Sequence, residues 1–156
     1  MAFRLVGCGA DGRPREPIAG LPAEIAANCA ATAGLLQRTG FVEPWVGYVA
    51  VDAGLAVGGG AFVGPPQQGV VEIAYYTLKQ FEGRRYASRT AAALVAIARG
   101  AQPGIVLKAY TLPQRNASTR ILERLGFTQV GEASDPDAGI VWEWRNPGGP
   151  ATTGAR

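Results

Sequence analysis

Apolar and polar residues alternate through "WVGYVAVD" (45–52), break at Ala53-Gly54, and resume in "LAVGGGAFVG" (55–64). Alternation with a period of two on both sides of a short turn predicts a hairpin. The glycines of the second arm weaken it as a strand and mark a bulge. After the turn "GPPQQG" (64–69), "VVEIAYYTL" (70–78) is the strongest strand signal of the chain, being β-branched, aromatic and alternating. "GIVLKAYTL" (104–112) is another strand. "FTQVGEA" (127–133) and "GIVWEWR" (139–145) form a terminal pair around the turn "SDPDAG", and "FRLVGC" (3–8) is an edge strand.

Three segments change to helical spacing. In 21–40, Ile25, Cys29, Ala33 and Leu36 recur on one face, Pro22 sits in the first turn and Gly40 ends the run. In 86–99, Ala87, Thr90, Ala91, Leu94 and Ala98 share a face and Gly100 is the predicted C-cap. In 116–126, Asn116 or Ser118 is available as N-cap and Gly126 as the end. Residues 146–156 are rich in Gly, Pro and Thr and are expected to be a disordered tail. The predicted order is β-α-β-β-β-α-β-α-β-β. Hairpins pair antiparallel, whereas the helix between 70–78 and 104–112 makes those two strands parallel. The expectation is a single α/β domain over 1–145 built on a mixed sheet.

Composition narrows the chemistry. Among 156 residues there is no histidine, so histidine-based triads and the usual histidine metal sites are excluded. Cys8 and Cys29 have no CxxC spacing; neither a metal site nor a disulfide framework is expected. The net charge of +3 is spread along the chain. It suits a small acidic ligand, and without a basic stripe interleaved with aromatics no nucleic-acid partner is expected. The N-terminal apolar run is too short for a signal peptide, and no run reaches the length of a membrane span. A cytoplasmic protein without membrane contact is the expectation.

One stretch asks for more than a turn. In "QFEGRRYASRTAAALVAIARG" (80–100) a loop with Gly83, Arg84 and Arg85 runs straight into a helix at Tyr86-Ala87-Ser88. A helix N-terminus offers unpaired backbone N–H groups and the positive end of the dipole. Gly83 lets the loop curl, and two arginines add charge. These residues fit a phosphate or pyrophosphate cradle; an ordinary strand–helix turn with solvated arginines fits them as well.

"VEIAYYTLKQFEGRRYASRTAAAL" resembles the acetyl-CoA-binding motif of GCN5-related N-acetyltransferases (GNAT), Q/R-x-x-G-x-G/A. Gln80 and Gly83 match its first position and first glycine, Tyr86 and Ala87 match the residues that usually follow, and Arg85 stands where Gly or Ala is preferred. "AYTLPQRNASTRILERLGF" and "EASDPDAGIVWEWR" are similar to the second half of the ribosomal-protein-alanine-acetyltransferase-like branch. The resemblance covers roughly 45–145. It implies a GNAT-type mixed, mostly antiparallel sheet flanked by helices, with a strand splay at the CoA site. It further implies acetyl-CoA as co-substrate without a metal, direct transfer to an amine of a protein N-terminus or small molecule and, by analogy, a homodimer. The alternatives are a non-catalytic acyl-CoA-binding domain of the same fold and a nucleotide-binding module unrelated to CoA.

The resemblance also distributes roles. Glu72 stands where some relatives carry the catalytic glutamate, and is otherwise a strand glutamate paired with a surface cation. Tyr76, Thr77 and Leu78 end the strand that would splay and offer backbone groups to the pantetheine arm. Gln80, Gly83, Arg84, Arg85, Tyr86, Ala87 and Ser88 form the CoA loop; Arg85, at the helix start, is expected to have an ordinary negative φ. Asn116 and Ser118 are polar contacts for the pantetheine or CoA sulfur, or simply helix caps. Many relatives carry a tyrosine general acid four residues before the "GF" glycine. That position is Leu122 here, which leaves Ser118 or Tyr110 as substitutes, or departure of the thiolate without help. Lys79 and Arg115 are further phosphate candidates or solvated charges. Trp142 and Trp144 share one strand face and read as packing.

Overall fold

The computed structural model describes residues 2–148. The predicted element order is the observed one: β1 (Phe3–Gly7), α1 (Ala23–Thr39), β2 (Gly47–Asp52), β3 (Leu55–Phe62), β4 (Val70–Thr77), α2 (Tyr86–Ala101), β5 (Val106–Thr111), α3 (Ala117–Arg124), β6 (Thr128–Asp135) and β7 (Gly139–Asn146). A single 3-10 turn, Lys79–Phe81, lies between β4 and α2 and has no counterpart in the sequence reading.

The strands form one seven-stranded sheet in the order β1-β2-β3-β4-β5-β7-β6. Every pairing is antiparallel except β4 with β5. The helical crossover enforces that exception, because a strand that returns through a helix runs in the same direction as its neighbour. The bulge announced by the glycines is in β3, where Val57 is the extra residue opposite the Ala50–Val51 step of β2.

Helices cover both faces. On one, Leu94 and Ala98 of α2 and Leu122 of α3 pack with Val71, Ile73, Leu107, Ala109 and Trp144. On the other, Ile25 of α1 packs with Val6, Cys8, Val49, Val51 and Leu78. The packing reading of the tryptophans is correct for Trp144, which is buried and donates Nε1–H to Thr111 Oγ1 at 2.9 Å.

Two boundaries shift. Gly100 lies inside α2, which runs one residue further to Ala101 and is capped at Gln102. Asn146, assigned to the tail, is the last residue of β7, opposite Leu107. Its side chain is tied down as well: Oδ1 accepts from Arg99 Nη2 at 2.9 Å, and Nδ2 donates to the Leu125 carbonyl at 3.0 Å. The rest of the predicted tail, from 149 onward, lies outside the described residues. Among the described residues no helix is long and apolar enough to cross a membrane.

Candidate active site: a splayed strand pair above a helix N-terminus

The parallel pairing of β4 and β5 is short. It runs from Val70↔Val106 to Glu72↔Lys108 and stops. β4 continues to Thr77 along β3, and β5 to Thr111 along β7. The strands therefore part just beyond Glu72, and the edge of β4 facing β5 lies open.

The ladder with β3 decides which groups face that opening. Glu72 C=O accepts from Val63 N–H at 2.9 Å, and Leu78 N–H donates to Val57 C=O at 2.9 Å. Backbone groups along an antiparallel strand alternate in direction. Ala74 and Tyr76 therefore also turn theirs toward β3, while Tyr75 and Thr77 turn N–H and C=O into the splay. The sequence reading had Tyr76, Thr77 and Leu78 in that role. Thr77 keeps it, Tyr75 joins it, and the backbone N–H of Leu78 is already bonded in the sheet. Leu78 is also buried in the α1-side core. Gly58, opposite Thr77, is glycine because of close approach: a Cβ there would lie 2.3 Å from the Tyr76 carbonyl oxygen.

The splay opens into a groove of about 700 Å³, in the size range of sites that engulf a substantial ligand. Tyr75, Tyr76 and Thr77 form its floor. Phe81 to Gly83 and Arg85 to Ser88 form one wall, and Ala117, Ser118, Arg120, Ile121 and Arg124 of α3 the other. Thr77 Oγ1 is buried without a hydrogen-bond partner, a condition that costs about 1–3 kcal/mol unless something bonds to it.

The loop has the backbone an anion site needs. Gly83 has φ +83°, and nothing of the protein lies within 4 Å of where its Cβ would be. Arg85 has φ 68°, a left-handed conformation, as the residue before α2. The expected negative φ is thus wrong. Two turns of hand, at Gly83 and Arg85, carry the chain from the 3-10 turn into the helix, and a glycine would hold the second one more cheaply.

Tyr86 anchors the arrangement. Its hydroxyl donates to Asp52 Oδ2 at 2.6 Å, its ring stacks on Phe3 at 6.2 Å, and Phe81 meets it edge-on at 6.3 Å. Arg84 lies over the Phe81 ring at 5.7 Å, outside the groove. Gln80 is exposed on the 3-10 turn and does not line the groove either.

Asn116 is a cap. Its Oδ1 accepts from Thr119 N–H at 3.1 Å, and Thr119 Oγ1 accepts from Asn116 N–H at 3.0 Å, a reciprocal capping box. Ser118 is exposed at the start of α3 and lines the groove. Lys79 stays outside it, and Arg115 is bonded to Glu123 at 2.6 and 2.8 Å.

Glu72 and Tyr110 occupy the other face of the sheet. Glu72 stands at the root of the splay, half-buried opposite Lys108. Burial pushes its carboxyl above the ordinary value; Lys108 opposes the shift, and Asp135 and Glu143 reinforce it. Tyr110 is exposed on the same face, with Lys108 Nζ 5.7 Å from its ring. The structure thus separates the three catalytic candidates: Ser118 lies in the groove, Glu72 and Tyr110 behind it.

The family profile described as "Acetyltransferase (GNAT) domain" matches residues 19–128. The chain belongs to the GNAT acetyltransferase family. No curated protein matches it in sequence. The GNAT fold recurs in solved structures of low identity. The apo RimL ribosomal L7/L12 α-N-protein acetyltransferase is 15% identical, with a TM-score of 0.69 and 94% of each chain covered. The ribosomal-protein-S5-alanine acetyltransferase from Vibrio fischeri is 14% identical, with a TM-score of 0.67 and coverage of 95% of this chain and 94% of that one. The putative acetyltransferase yncA from Salmonella typhimurium, solved with acetyl-CoA, is 16% identical, with a TM-score of 0.64 and 94% of each chain covered.

Around the groove, sequence reasoning missed several residues. Arg120 and Arg124 stand one helical turn apart and both line the groove; their i,i+4 spacing in "STRILERLG" was the available signal. Tyr75 had only its place in the strand. Asp52 had no signal, because its partner Tyr86 is 34 positions away. Leu122, at the position where many relatives carry a tyrosine, is fully buried and has no proton to give.

Proposed function

We propose that the chain is an acetyl-CoA-dependent N-acetyltransferase that acts on a primary amine by direct attack. The observation that carries this reading is the splay of β4 from β5 directly above the Gly83–Ser88 turn. It unites free strand-edge groups with an anion-binding helix N-terminus in one groove. The residues fit acetyl-CoA. The backbone of Tyr75 and Thr77 and the unpartnered Thr77 hydroxyl suit an amide-bearing pantetheine arm. Gly83, Arg85 and the first turn of α2 suit a pyrophosphate, with Arg120 and Arg124 adding positive charge from α3.

Acetyl-CoA supplies the thioester whose acetyl group is transferred. An acceptor amine with a pKa of roughly 8–10 is mostly protonated at neutral pH and must lose a proton before it attacks. Glu72, at the root of the splay, takes that proton directly or through water; burial raises its pKa toward the range where a carboxylate is an effective base. A backbone N–H of Tyr75 or Thr77 holds the oxyanion that forms at the carbonyl. Ser118 is the hydroxyl on the α3 wall that can protonate the departing sulfur.

Two measurements test the reading. Release of free CoA thiol is followed with acetyl-CoA and a panel of primary amines, and binding is compared between the native protein and Gly83→Val. Amine-dependent thiol release is expected, with CoA affinity at least about tenfold lower in the variant, roughly 1.4 kcal/mol. No release with any amine, or unchanged CoA affinity in a folded Gly83→Val protein, would overturn it.

A further inference from the structure

Cys8 and Cys29 stand 21 positions apart in the chain, and folding brings their sulfurs together: Cys8 Sγ–H donates to Cys29 Sγ at 3.9 Å. Both thiols are free. Cys8 follows directly on β1, and its backbone N–H donates to the Gly47 carbonyl at 2.9 Å. Its side chain is buried with Val6, Ile25, Val49 and Leu78. Cys29 belongs to α1 and is half-buried. The loop after Cys8 presses on the helix at this point, since a Cβ on Gly12 would lie 2.9 Å from the Cys29 carbonyl oxygen. α1 is otherwise lightly held. Of its 17 residues Ile25, Ala33 and Leu36 are buried, and Pro22 at its N-cap makes no side-chain hydrogen bond.

The two sulfurs differ in access and in charge. Cys29 lines a small cavity of about 160 Å³ between α1 and the sheet, and Cys8 does not. Asn28 and Ala74, in the same lining, are exposed, so the cavity opens to solvent and admits a molecule of peroxide size. The hydrogen bond from Cys8 draws the Cys29 thiol below its ordinary pKa, against the effect of burial. The same bond pushes Cys8 up, helped by burial and by the charges of Cys29 and Asp11. Cys29 is therefore the nucleophile of the pair and Cys8 its proton donor. A disulfide bond of about 2.0 Å requires the sulfurs to close about half of their separation. Rotation about the Cα–Cβ bonds supplies a displacement of that size.

We propose that Cys8 and Cys29 form a two-thiol site for hydrogen peroxide, at which Cys29 is oxidised through the cavity and Cys8 closes a reversible disulfide that staples α1 to the end of β1. The Cys29 thiolate attacks one peroxide oxygen. The S–O bond forms as the O–O bond breaks, and the released hydroxide takes the Cys8 proton and leaves as water. The Cys8 thiolate then attacks the Cys29 sulfur. The S–S bond forms, the S–O bond breaks, and the second hydroxide is protonated by solvent. Counted from the two thiols, the sulfurs give up two electrons and two protons, and the peroxide is reduced to two waters. A dithiol reverses the step by thiol–disulfide exchange. The site is independent of the acetyltransferase reading, because no residue of β1 or α1 lines the large groove.

The test treats the full chain with hydrogen peroxide and reads intact mass, tryptic peptides and thermal unfolding. The expected product is a monomer lighter by two hydrogens, in which the tryptic peptides 5–15 and 16–38 are linked. Its Tm should rise by at least about 4 °C, because the cross-link restricts the unfolded chain. Dithiothreitol should reverse both changes. In Cys8→Ser, Cys29 should stop at the sulfenic acid, which dimedone traps, and the Tm should not rise. Cys8→Ala keeps the buried site apolar and makes the same measurement should the serine variant fail to fold. In Cys29→Ser, the buried Cys8 should remain a thiol. Four results would each overturn the proposal: a pair that stays reduced in peroxide, disulfides found only between two chains, Cys29 carried to the sulfinic acid while Cys8 stays free, or a linked monomer whose Tm is unchanged or lower.

Discussion

Arg85 combines strain and charge in one residue. A non-glycine residue at φ 68° costs about 1–2 kcal/mol relative to the ordinary helical region. Arg85→Gly is therefore expected to raise the unfolding free energy by about 1 kcal/mol in urea titration. The same change removes a guanidinium from the groove, so CoA affinity should fall by about 0.5–2 kcal/mol at low salt. That deficit should shrink as salt screens the contact. Tighter CoA binding by Arg85→Gly would show that the arginine is not a ligand. Glu72 makes a second prediction. A carboxyl with a raised folded pKa binds its proton more tightly folded than unfolded, so stability falls as pH rises from the ordinary carboxylate range through the folded value. Glu72→Gln removes that slope. The variant should be more stable than the native protein at neutral pH, and the two should converge below about pH 4, where the native side chain is protonated in both the folded and the unfolded state. Its kcat should be lower at neutral pH and partly recover at high pH, where the amine deprotonates unaided. A native-like rate across the range would make Glu72 structural.

Among the elements, α3 separates capping from ligand binding. Its capping box uses the Asn116 side chain, so Asn116→Ala should lower stability by about 1 kcal/mol and leave CoA affinity within twofold or so. A large loss of affinity in a protein with native-like stability would reverse that assignment. The α3 face was only partly legible in advance. A helix with Asn at its start and Gly after its end is written in the chain, and so is the pairing of Arg120 with Arg124 on one side. That this side turns to the groove depends on Leu122 and Thr119 being buried on the other, which is a property of the sheet beneath. The β4 strand shows the same division. Its alternation was plain, but which backbone groups are free depends on its register with β3. Tyr75, not Tyr76 or Leu78, accordingly shares with Thr77 the open edge.

For the whole molecule, a ligand that binds only the folded state stabilises it by mass action. CoA at about 100 times its dissociation constant should add about 2.7 kcal/mol to the unfolding free energy. For a domain of this size that is a rise in Tm of roughly 5–11 °C. ADP, which lacks the pantetheine arm, should give a distinctly smaller shift at the same concentration. Equal shifts would mean that the splay contributes nothing and that only the phosphate turn binds.

The order of strands and helices, the parallel step between β4 and β5, the glycine–arginine turn and its family were all readable from the sequence, because each depends on neighbours within a few residues or on one crossover. The splay of β4 from β5 was implied by the resemblance. Three features were decided by tertiary structure. Asp52 meets Tyr86 across the sheet; Arg85 takes a left-handed turn; and the register of β4 with β3 turns the backbone of Tyr75 and Thr77 to the open edge. None of these has a local signal. Each exists only once segments far apart in the chain have packed, when burial, register and close approach choose among conformations that the local sequence leaves equally open.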